Sequence, residues 1–270
     1  MAGAPLIELN SVTKSFDGER SHALRDVSLA IDTGGFIALV GTSGSGKTTA
    51  LKMINRLLEP DSGQVRFEGE AVEHLDAPTL RRRIGYVFQG IGLFPHMTVG
   101  ENIAITPRLL GWSKADIAAR VAELLDLVEL PPSYAARFPH ALSGGQRQRA
   151  GVARAIAARP RVMLMDEPFG ALDPVTRDAL GTAYRALHEK LGMTTVMVTH
   201  DVQEAVLLAD RIVVMSAGRI AADDTPAALL SEQTDAEVSA LMAMPRRQAE
   251  RISMLLHASG SDFPRRPPHG

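Results

Sequence analysis

The sequence predicts an α/β fold with a parallel sheet at its centre. Three apolar runs, FIALVG (36–41), RVMLMDE (161–167) and TTVMVTH (194–200), have the composition of strands that are buried on both faces. A helix-like pattern follows the first run and precedes each of the other two. This alternation is typical of parallel α/β folds, whose ligands bind at the carboxyl ends of the strands.

Shorter strand patterns precede and interrupt this core. Three segments with alternating apolar residues, LIELNSV, ALRDVSLAI and GQVRFEGE, predict an antiparallel β subdomain. After Asp210, the segment RIVVMSAGRIAA predicts a hairpin that turns at Ala-Gly. The antiparallel strands and the parallel core together predict a chain with two sheets.

The middle of the chain, residues 90–158, has a different pattern. KADIAARVAELLDLVEL and GQRQRAGVARAIAARP have helical periodicity, and no convincing strand lies between them. We therefore expect a helical subdomain inserted into the α/β core. At the other end of the chain, SDFPRRPPHG (261–270) is rich in proline and arginine and is expected to be disordered.

Composition excludes several classes of function. Hydrophobic residues make up 45% of the 270 residues, and the net charge of −2 argues against a nucleic-acid binder that relies on bulk positive charge. The chain has no cysteine, which excludes a disulfide framework and thiol catalysis. Neither a secretory signal nor an apolar run of about 18 residues is visible, so we expect a cytoplasmic protein that reaches a membrane only through a partner.

The segment GTSGSGKT (41–48) matches the phosphate-binding pattern G-x-x-x-x-G-K-[ST] and lies between a predicted strand and a predicted helix. Its glycines let backbone N–H groups point at phosphates, and the helix start adds positive potential. Lys47 is expected to reach the β- and γ-phosphates, and Thr48 to offer its hydroxyl to Mg²⁺. The alternative is a Gly/Ser-rich turn capped by Thr48. The predicted nucleotide contacts here are Gly41, Thr42, Ser43, Gly44, Ser45, Gly46, Lys47, Thr48 and Thr49.

Two adjacent carboxylates, Asp166 and Glu167, end an apolar run, where an unpaired charge would be costly to bury. Asp166 is predicted to hold Mg²⁺ opposite Thr48, directly or through water. Glu167 is predicted to act as the general base toward the attacking water. The alternative is that Glu167 only caps the turn before Pro168, and the nearby phosphate-binding loop favours the catalytic interpretation.

Two further polar residues end strands at the same predicted edge of the sheet. A single histidine in this position is more often packed or solvated, but beside a phosphate-binding loop His200 is predicted to contact the γ-phosphate. Gln89, in IGYVFQ, is either a solvated amide or a residue between the core and the helical insertion. We assign it to the catalytic group and, with Thr48 and Asp166, to the Mg²⁺ site.

The segment LSGGQRQR (142–149) begins a predicted helix, and we call it the signature segment. Ser143 and Gln146 have the spacing of a capping box, which is a purely local explanation. That explanation does not account for Gly144 and Gly145, each of which weakens a helix by roughly 1 kcal/mol relative to alanine. Glycine permits close backbone approach, and a helix start suits a phosphate. Since the chain already has a loop for its own γ-phosphate, we expect this helix to serve a nucleotide on a second copy.

Six motifs follow one another in the order found in ATP-binding cassette (ABC) ATPases, and the chain resembles this family over residues 6–230. They are GTSGSGKT, Gln89, LSGGQ, VMLMDE, the ALD of residues 171–173 (the D-loop) and His200. The resemblance implies an ABC ATPase domain at 1–230, a C-terminal extension at 231–270, and a dimer that closes head-to-tail over two ATP molecules with Mg²⁺. It places four signature residues against the partner's nucleotide: Ser143, Gly144, Gly145 and Gln146.

Two other residues acquire roles through the same resemblance. Asp173 of the D-loop is expected to cross the dimer interface. Phe16 matches the aromatic residue that stacks on adenine in this family, a position often held by tyrosine. Without the resemblance, Phe16 would more often be a core residue.

Three longer phrases, LKMINRLLEPDSGQV, QGIGLFPHMTVGENI and DEPFGALDPVTRD, resemble the ATPase subunits of importers for quaternary amines such as glycine betaine, choline and related osmoprotectants. The resemblance implies a separate membrane permease, an indirect substrate-binding protein, no nucleic acid partner, and a location at the cytoplasmic face of the inner (plasma) membrane. Many members carry a C-terminal domain that senses ionic strength. Only 40 residues follow Leu230, so we expect no osmosensing through such a module.

Other functions are compatible with parts of the pattern. A soluble, non-transport ABC ATPase would use the same chemistry without a permease, and an ABC ATPase could serve a transporter for another solute. A P-loop kinase or GTPase would not need the signature segment.

Overall fold

The computed structural model describes residues 4–16, 21–90, 92–231 and 235–259. The predicted α/β class is confirmed, because these residues form one antiparallel sheet and one mostly parallel sheet with helices around them. The predicted disorder of residues 261–270 falls outside the described residues.

The described residues form strands and helices in the following order along the chain. The strands are β1 (Ile7–Ser15), β2 (His22–Ile31), β3 (Phe36–Val40), β4 (Ser62–Phe67), β5 (Glu70–Ala71), β6 (Ile84–Val87), β7 (Val162–Asp166), β8 (Thr194–Val198), β9 (Arg211–Ser216) and β10 (Arg219–Asp224). The helices are α1 (Lys47–Ile54), α2 (Ala77–Arg83), α3 (Val99–Leu109), α4 (Lys114–Leu127), α5 (Gly144–Ile156), α6 (Pro174–Leu191), α7 (Val202–Leu208), α8 (Pro226–Leu230) and α9 (Ala236–Ser259).

The antiparallel sheet has the strand order β2-β1-β4-β5. Its central strand pairs on both sides, with Ile7 opposite Ile31 of β2 and opposite Phe67 of β4. The segment GQVRFEGE is not one strand as predicted. Glu68 and Gly69 have φ values of 53° and 78°, which is the backbone of a tight hairpin turn, so the chain reverses between β4 and β5.

The second sheet has the order β10-β9-β3-β8-β7-β6, and all of its neighbouring pairs are parallel except the β10–β9 hairpin at the edge. Every residue of β3, β7 and β8 is buried, as the apolar runs predict. The β9–β10 hairpin turns at Ala217 and Gly218, both with positive φ, as predicted. Because the central strands are parallel, the segments after β3, β6, β7 and β8 emerge at one edge of the sheet.

Alternate residues of β3 belong to two different hydrophobic clusters. Phe36, Ala38 and Val40 pack into a cluster that includes residues of α5, α6 and α7. Ile37 and Leu39 pack on the opposite face, against residues of α1 and of the antiparallel sheet. The parallel sheet is therefore covered on both faces, which is the packing that parallel strands require.

The described part of residues 90–158 contains α3, α4 and α5 and no strand. The start of α3 carries a capping box formed by Thr98 and Glu101. The two predicted helices are shorter than expected: α4 ends before Glu129 and α5 ends before Arg159, and both of these residues have a φ of 55°. A left-handed backbone at those points ends each helix and turns the chain. The helix α1 likewise ends at Ile54, before Arg56 with a φ of 54°.

The C-terminal part of the described chain contributes α9. Its first turns are packed against the core through the buried residues Val238 and Met242. Within the ranges that the structure describes, no helix combines the length and the apolar character needed to cross a membrane.

Candidate functional site

The phosphate-binding loop connects β3 to α1 at the carboxyl edge of the parallel sheet. Two of its glycines leave no space for a side chain. A Cβ at Gly41, where φ is +146°, would lie 2.1 Å from the carbonyl oxygen of Met215, and one at Gly46, where φ is +102°, would lie 2.3 Å from that of Ala23. At these two glycines the loop packs directly against the backbone of β9 and of β2.

The loop has an exposed part and a buried part. Thr42, Ser43 and Gly44 are exposed, whereas Ser45 and Gly46 are buried, and Thr48 and Thr49 are half-buried in the first turn of α1. The first N–H groups of a helix have no intrahelical partner and favour a bound anion. The predicted nucleotide contacts therefore line one open loop at a helix start.

Lys47 is buried beneath the loop. Its ammonium group donates hydrogen bonds to the carbonyl oxygens of Gly41 and Thr42, at 2.9 and 2.8 Å, and to Ser45 Oγ at 3.1 Å. Burial lowers the pKa of Lys47, and the carboxylates at the end of β7 oppose this change. Carbonyl groups shield the positive charge of the buried Lys47 only in part, so its ammonium group is well suited to bind a phosphate.

Thr48 and Asp166 meet across the gap between α1 and β7. The hydroxyl of Thr48 donates a hydrogen bond of 2.9 Å to Asp166 Oδ1. Burial raises the pKa of Asp166, a change that this hydrogen bond and the charge of Lys52 oppose. Burial and the charge of Asp166 also raise the pKa of Tyr86. A buried carboxylate beside a hydroxyl is a pair of hard oxygen donors, which fits Mg²⁺.

Glu167 lies between Gln89 and His200, the two strand-end residues predicted to join it. Gln89 Nε2 donates to Glu167 Oε2 at 2.9 Å, and His200 Nδ1 lies 3.5 Å from the same oxygen. The backbone N–H of Glu167 donates to the carbonyl oxygen of Val198 on β8, at 2.9 Å. Its φ of 46° is a strained conformation that costs roughly 1–3 kcal/mol, and such residues cluster at functional sites. The structure thus brings the three predicted residues together, with Gln89 and His200 both at one carboxylate oxygen of Glu167.

Gln89 contacts the carboxylate of Glu167 rather than the other members of the predicted metal site. The side-chain amide of Gln89 donates a hydrogen bond to Glu167, whereas Thr48 and Asp166 bond to each other. The role of Gln89 as an Mg²⁺ ligand therefore stays a prediction.

The signature segment forms the start of α5. The side chain of Ser143 accepts from the Gln146 N–H, and Gln146 Oε1 accepts from the Ser143 N–H, so the predicted capping box is present. A Cβ at Gly144 would lie 3.7 Å from Leu172 Cδ2 of the D-loop, and one at Gly145 would lie 2.7 Å from Thr176 of α6. Within one chain, the signature segment is therefore a neighbour of the D-loop.

Asp173 of the D-loop is the N-cap of α6. Its Oδ1 accepts from the Thr176 N–H at 3.0 Å, and hydrogen bonds from the side chain and then the backbone of Thr176 lower the pKa of the carboxyl. Among the described residues, no hydrogen bond or ion pair joins Ser143–Gln146 or Asp173 to residues 41–49 of the same chain. Their predicted contact with a nucleotide on a second copy stays a prediction.

Phe16 lies just beyond the end of β1 and is 60% exposed, so it is not a core residue. Lys14 Nζ lies 6.0 Å from the centre of its ring. An exposed aromatic ring beside a cation is free to stack on another planar group.

Sequence reasoning missed Asp201 and Arg177. Asp201 follows His200 directly and caps α7 by accepting from the N–H groups of Gln203 and Glu204. Arg177 of α6 pairs with Asp201 at 2.8 Å. The N-cap role was readable from an aspartate that precedes a helical pattern, but the partner of Arg177 lies 24 residues away and has no local signal.

Known proteins are similar to this chain in sequence and in fold. The family model described as ABC transporter matches residues 24–170. The chain is 51% identical over 226 residues to the glycine betaine uptake system ATP-binding protein YehX of Escherichia coli (strain K12), covering 84% of this chain and 73% of that protein. It is 48% identical over 241 residues to the choline transport ATP-binding protein OpuBA of Bacillus subtilis (strain 168), covering 89% of this chain. The chain spans 63% of the length of OpuBA, less than two thirds.

Solved structures agree with these matches. The dimeric post-hydrolysis state of the ATP-binding cassette MJ0796, bound to ADP and Pi, has a TM-score of 0.73 and 34% identity, covering 82% of this chain and 98% of that one. CbiO1 from Clostridium perfringens, part of the ABC transporter complex cbiONQ, has a TM-score of 0.80 and 25% identity, covering 94% of this chain and 100% of that one. The chain therefore belongs to the ABC transporter family, and its relatives there are ATP-binding subunits.

Proposed function

We propose that this chain is the ATP-hydrolysing subunit of an ABC importer for glycine betaine, choline or a related osmoprotectant. The observation that carries the proposal is the position of Glu167, which is held between Gln89 and His200 beside the phosphate-binding loop and Asp166. The substrate class is supported by relatives whose names state glycine betaine uptake, choline transport and osmoprotectant import.

Each residue of the site has its own role in hydrolysis. The loop N–H groups and Lys47 bind the phosphates of ATP. Glu167 accepts a proton from the water that attacks the γ-phosphorus, while His200 and Gln89 orient that carboxylate and the phosphate. The bond from the γ-phosphorus to the β,γ-bridging oxygen breaks, and ADP and phosphate result. Thr48, Asp166 and Gln89 would hold Mg²⁺, which neutralises charge on the phosphate oxygens when bound.

A second copy of the chain completes each site in this proposal. The N–H groups at the start of α5, with Ser143, Gly144 and Gly145, would face the nucleotide held by the partner's phosphate-binding loop, and Asp173 would cross the interface. The dimeric cassettes of MJ0796 support such an assembly. Closure is driven by the difference in ATP affinity between the closed and the open dimer, which is what any ligand-driven shift requires.

Transport needs further chains in this proposal. A membrane permease would receive the motion of the helical subdomain, residues 90–158, and a substrate-binding protein would deliver the solute. The ATPase domain at 1–230 would then lie at the cytoplasmic face of the membrane, attached through the permease. The relatives support this arrangement because their names describe transport and uptake systems.

Another solute is the second candidate. The chain is also 50% identical over 218 residues to the sulfate/thiosulfate import ATP-binding protein CysA 1 of Agrobacterium fabrum. Identity over the ATPase domain therefore does not distinguish quaternary amines from sulfate. ATPase activity of the reconstituted complex, measured with glycine betaine, choline or sulfate and the matching binding protein, separates the candidates: stimulation by sulfate alone contradicts the osmoprotectant assignment.

The catalytic part of the proposal is tested on the purified full-length chain. We expect Glu167→Gln to bind ATP with little turnover, because the amide cannot accept the proton, and Lys47→Ala to lose hydrolysis through weak ATP binding. Steady-state phosphate release and equilibrium ATP binding measure both. Normal hydrolysis by Glu167→Gln together with an active Lys47→Ala contradicts the assignment.

A further inference from the structure

Arg177, near the start of α6, joins two loops that flank the candidate site. Its Nη2 atom donates a hydrogen bond of 3.1 Å to the carbonyl oxygen of Leu172, in the D-loop. Its Nη1 atom donates to Asp201 Oδ2 at 2.8 Å. Asp201 is the residue directly after His200. One guanidinium therefore connects the D-loop to the turn that carries His200.

Asp201 is also bonded to the turn that carries His200. The Asp201 N–H donates to Thr199 Oγ1 at 3.0 Å, so the residues on both sides of His200 are bonded to each other. Asp201 Oδ1 caps α7, and Oδ2 is used by Arg177. His200 Nδ1 in turn lies 3.5 Å from Glu167 Oε2. A shift of Asp201 would therefore move His200 relative to the catalytic carboxylate.

The contact at Leu172 reaches the signature segment. The Leu172 side chain lies 3.7 Å from the Cβ position of Gly144, and the next residue, Asp173, caps α6. The backbone N–H of Arg177 also donates to the Asp173 carbonyl oxygen, at 2.9 Å. The D-loop is thus held from both sides, by the start of α6 and by the guanidinium of Arg177.

We propose that Arg177 is a positioning residue that holds the D-loop and the His200 turn in one fixed arrangement. In the assembled dimer, the γ-phosphate side and the signature side of each chain would then close together. The guanidinium suits this role because its planar fork sets the direction of both hydrogen bonds at once, which a lysine ammonium does not. The side chains of Arg177 and Asp201 are each 29% exposed, so solvent competes only in part with their pairing. The inference rests on the proposed ATP hydrolysis.

The test compares steady-state ATPase rates and ATP binding of full-length Arg177→Ala and Asp201→Asn with wild type. Asparagine keeps an oxygen that can cap α7 but removes the charge that pairs with Arg177. We expect both variants to lower kcat about tenfold to a hundredfold, as small displacements of reacting groups do, while monomer affinity for ATP stays unchanged. The double variant should be no slower than the single variants, because both changes break the same link.

Arg185→Ala is the matched control. Arg185 lies on the same helix and also bonds to a backbone carbonyl, that of Leu208 at 2.9 Å, and to a carboxylate, that of Asp210 at 2.8 Å. It contacts neither the D-loop nor the His200 turn through these bonds, so its kcat should stay close to that of wild type.

Each other result decides against the role. Wild-type kcat in both variants, an equal loss in Arg185→Ala, or additive losses in the double variant would overturn it while leaving the proposed hydrolysis intact. If Arg177→Ala does not fold, Asp201→Asn and Arg185→Ala decide, and a wild-type kcat in Asp201→Asn or an equal loss in Arg185→Ala would overturn the role. No hydrolysis by the wild-type chain would contradict the proposed function itself, and the role of Arg177 with it.

Discussion

Glu204 gives the structure a built-in dependence of stability on pH. This residue of α7 is only 9% exposed, and its Oε1 atom has no hydrogen-bond partner within the described structure. Burial is the largest cause that raises its pKa from 4.5 to about 7. A hydrogen bond with Thr199 and the charges of Arg177 and His200 lower the pKa, whereas the charge of Asp201 raises it. The folded chain therefore holds a proton that the unfolded chain releases near pH 4.5.

The sign of the effect follows from this difference in bound protons. The stabilisation from protonated Glu204 is fully present below pH 4.5 and is lost as the pH rises through about 7. The difference between the two pKa values corresponds to about 3 kcal/mol, of which about 2 kcal/mol falls between pH 5.5 and pH 8. Glu204→Gln removes the titrating group, so the variant should gain this amount relative to wild type over that interval.

The assay is thermal unfolding of wild type, Glu204→Gln and Glu250→Gln at pH 5.5 and pH 8. For a domain of this size, about 2 kcal/mol moves the melting temperature by roughly 4–8 °C. The melting temperature of Glu204→Gln minus that of wild type should therefore increase by roughly 4–8 °C from pH 5.5 to pH 8. Glu250 is exposed on α9 and controls for the change in net charge. If the difference for Glu204→Gln varies with pH no more than the difference for Glu250→Gln, Glu204 is not the source of the pH dependence.

Three further predictions concern nucleotide binding. Gly41→Ala should destabilise the chain by about 1–3 kcal/mol and weaken ATP binding, because its Cβ would overlap the Met215 carbonyl oxygen; a melting temperature equal to that of wild type contradicts this. Thr48→Val should bind ATP without Mg²⁺ about as well as wild type but lose the increase in ATP affinity that Mg²⁺ produces, because the hydroxyl beside Asp166 is gone. Calorimetry with and without Mg²⁺ measures both affinities. A full increase with Mg²⁺ in the variant counts against the site. Phe16→Ala should lower ATP affinity by about 1–3 kcal/mol, because the ring that stacks on adenine is lost. Phe16→Tyr is the control, since it keeps an aromatic ring. Equal ATP affinity in wild type and both variants rules out the stacking role.

The residues at the carboxyl edge of the sheet were predictable because short patterns specify both their chemistry and their place. A buried apolar run before Gly41, Asp166 or His200 identifies a parallel strand, and the residues after such strands must meet at one edge. For this reason the contacts of Glu167 with Gln89 and His200 agree with the expectation from the sequence.

Other features depend on pairings that the sequence does not encode locally. Arg177 meets Asp201, and Arg154 donates to the carbonyl oxygen of Gly92, 62 residues away. Such contacts follow only from the packing of α5 and α6 beside the sheet. The predicted helix over α4 is also too long, because the apolar periodicity continues through Val128 and Leu130 although the left-handed Glu129 between them turns the backbone.

In the proposed assembly each ATP site is made by two copies of the chain, and Gly144 offers the sharpest test. A side chain at this position makes only an ordinary contact of 3.7 Å with Leu172, and an acidic residue suits a helix start, so Gly144→Asp should fold while placing a negative charge where the partner's phosphate would lie. Sedimentation velocity of Glu167→Gln with Mg²⁺ and ATP should show a dimer, whereas Glu167→Gln/Gly144→Asp should stay monomeric and still bind ATP. Dimerisation of the double variant, or its loss of ATP binding as a monomer, would contradict the two-chain site.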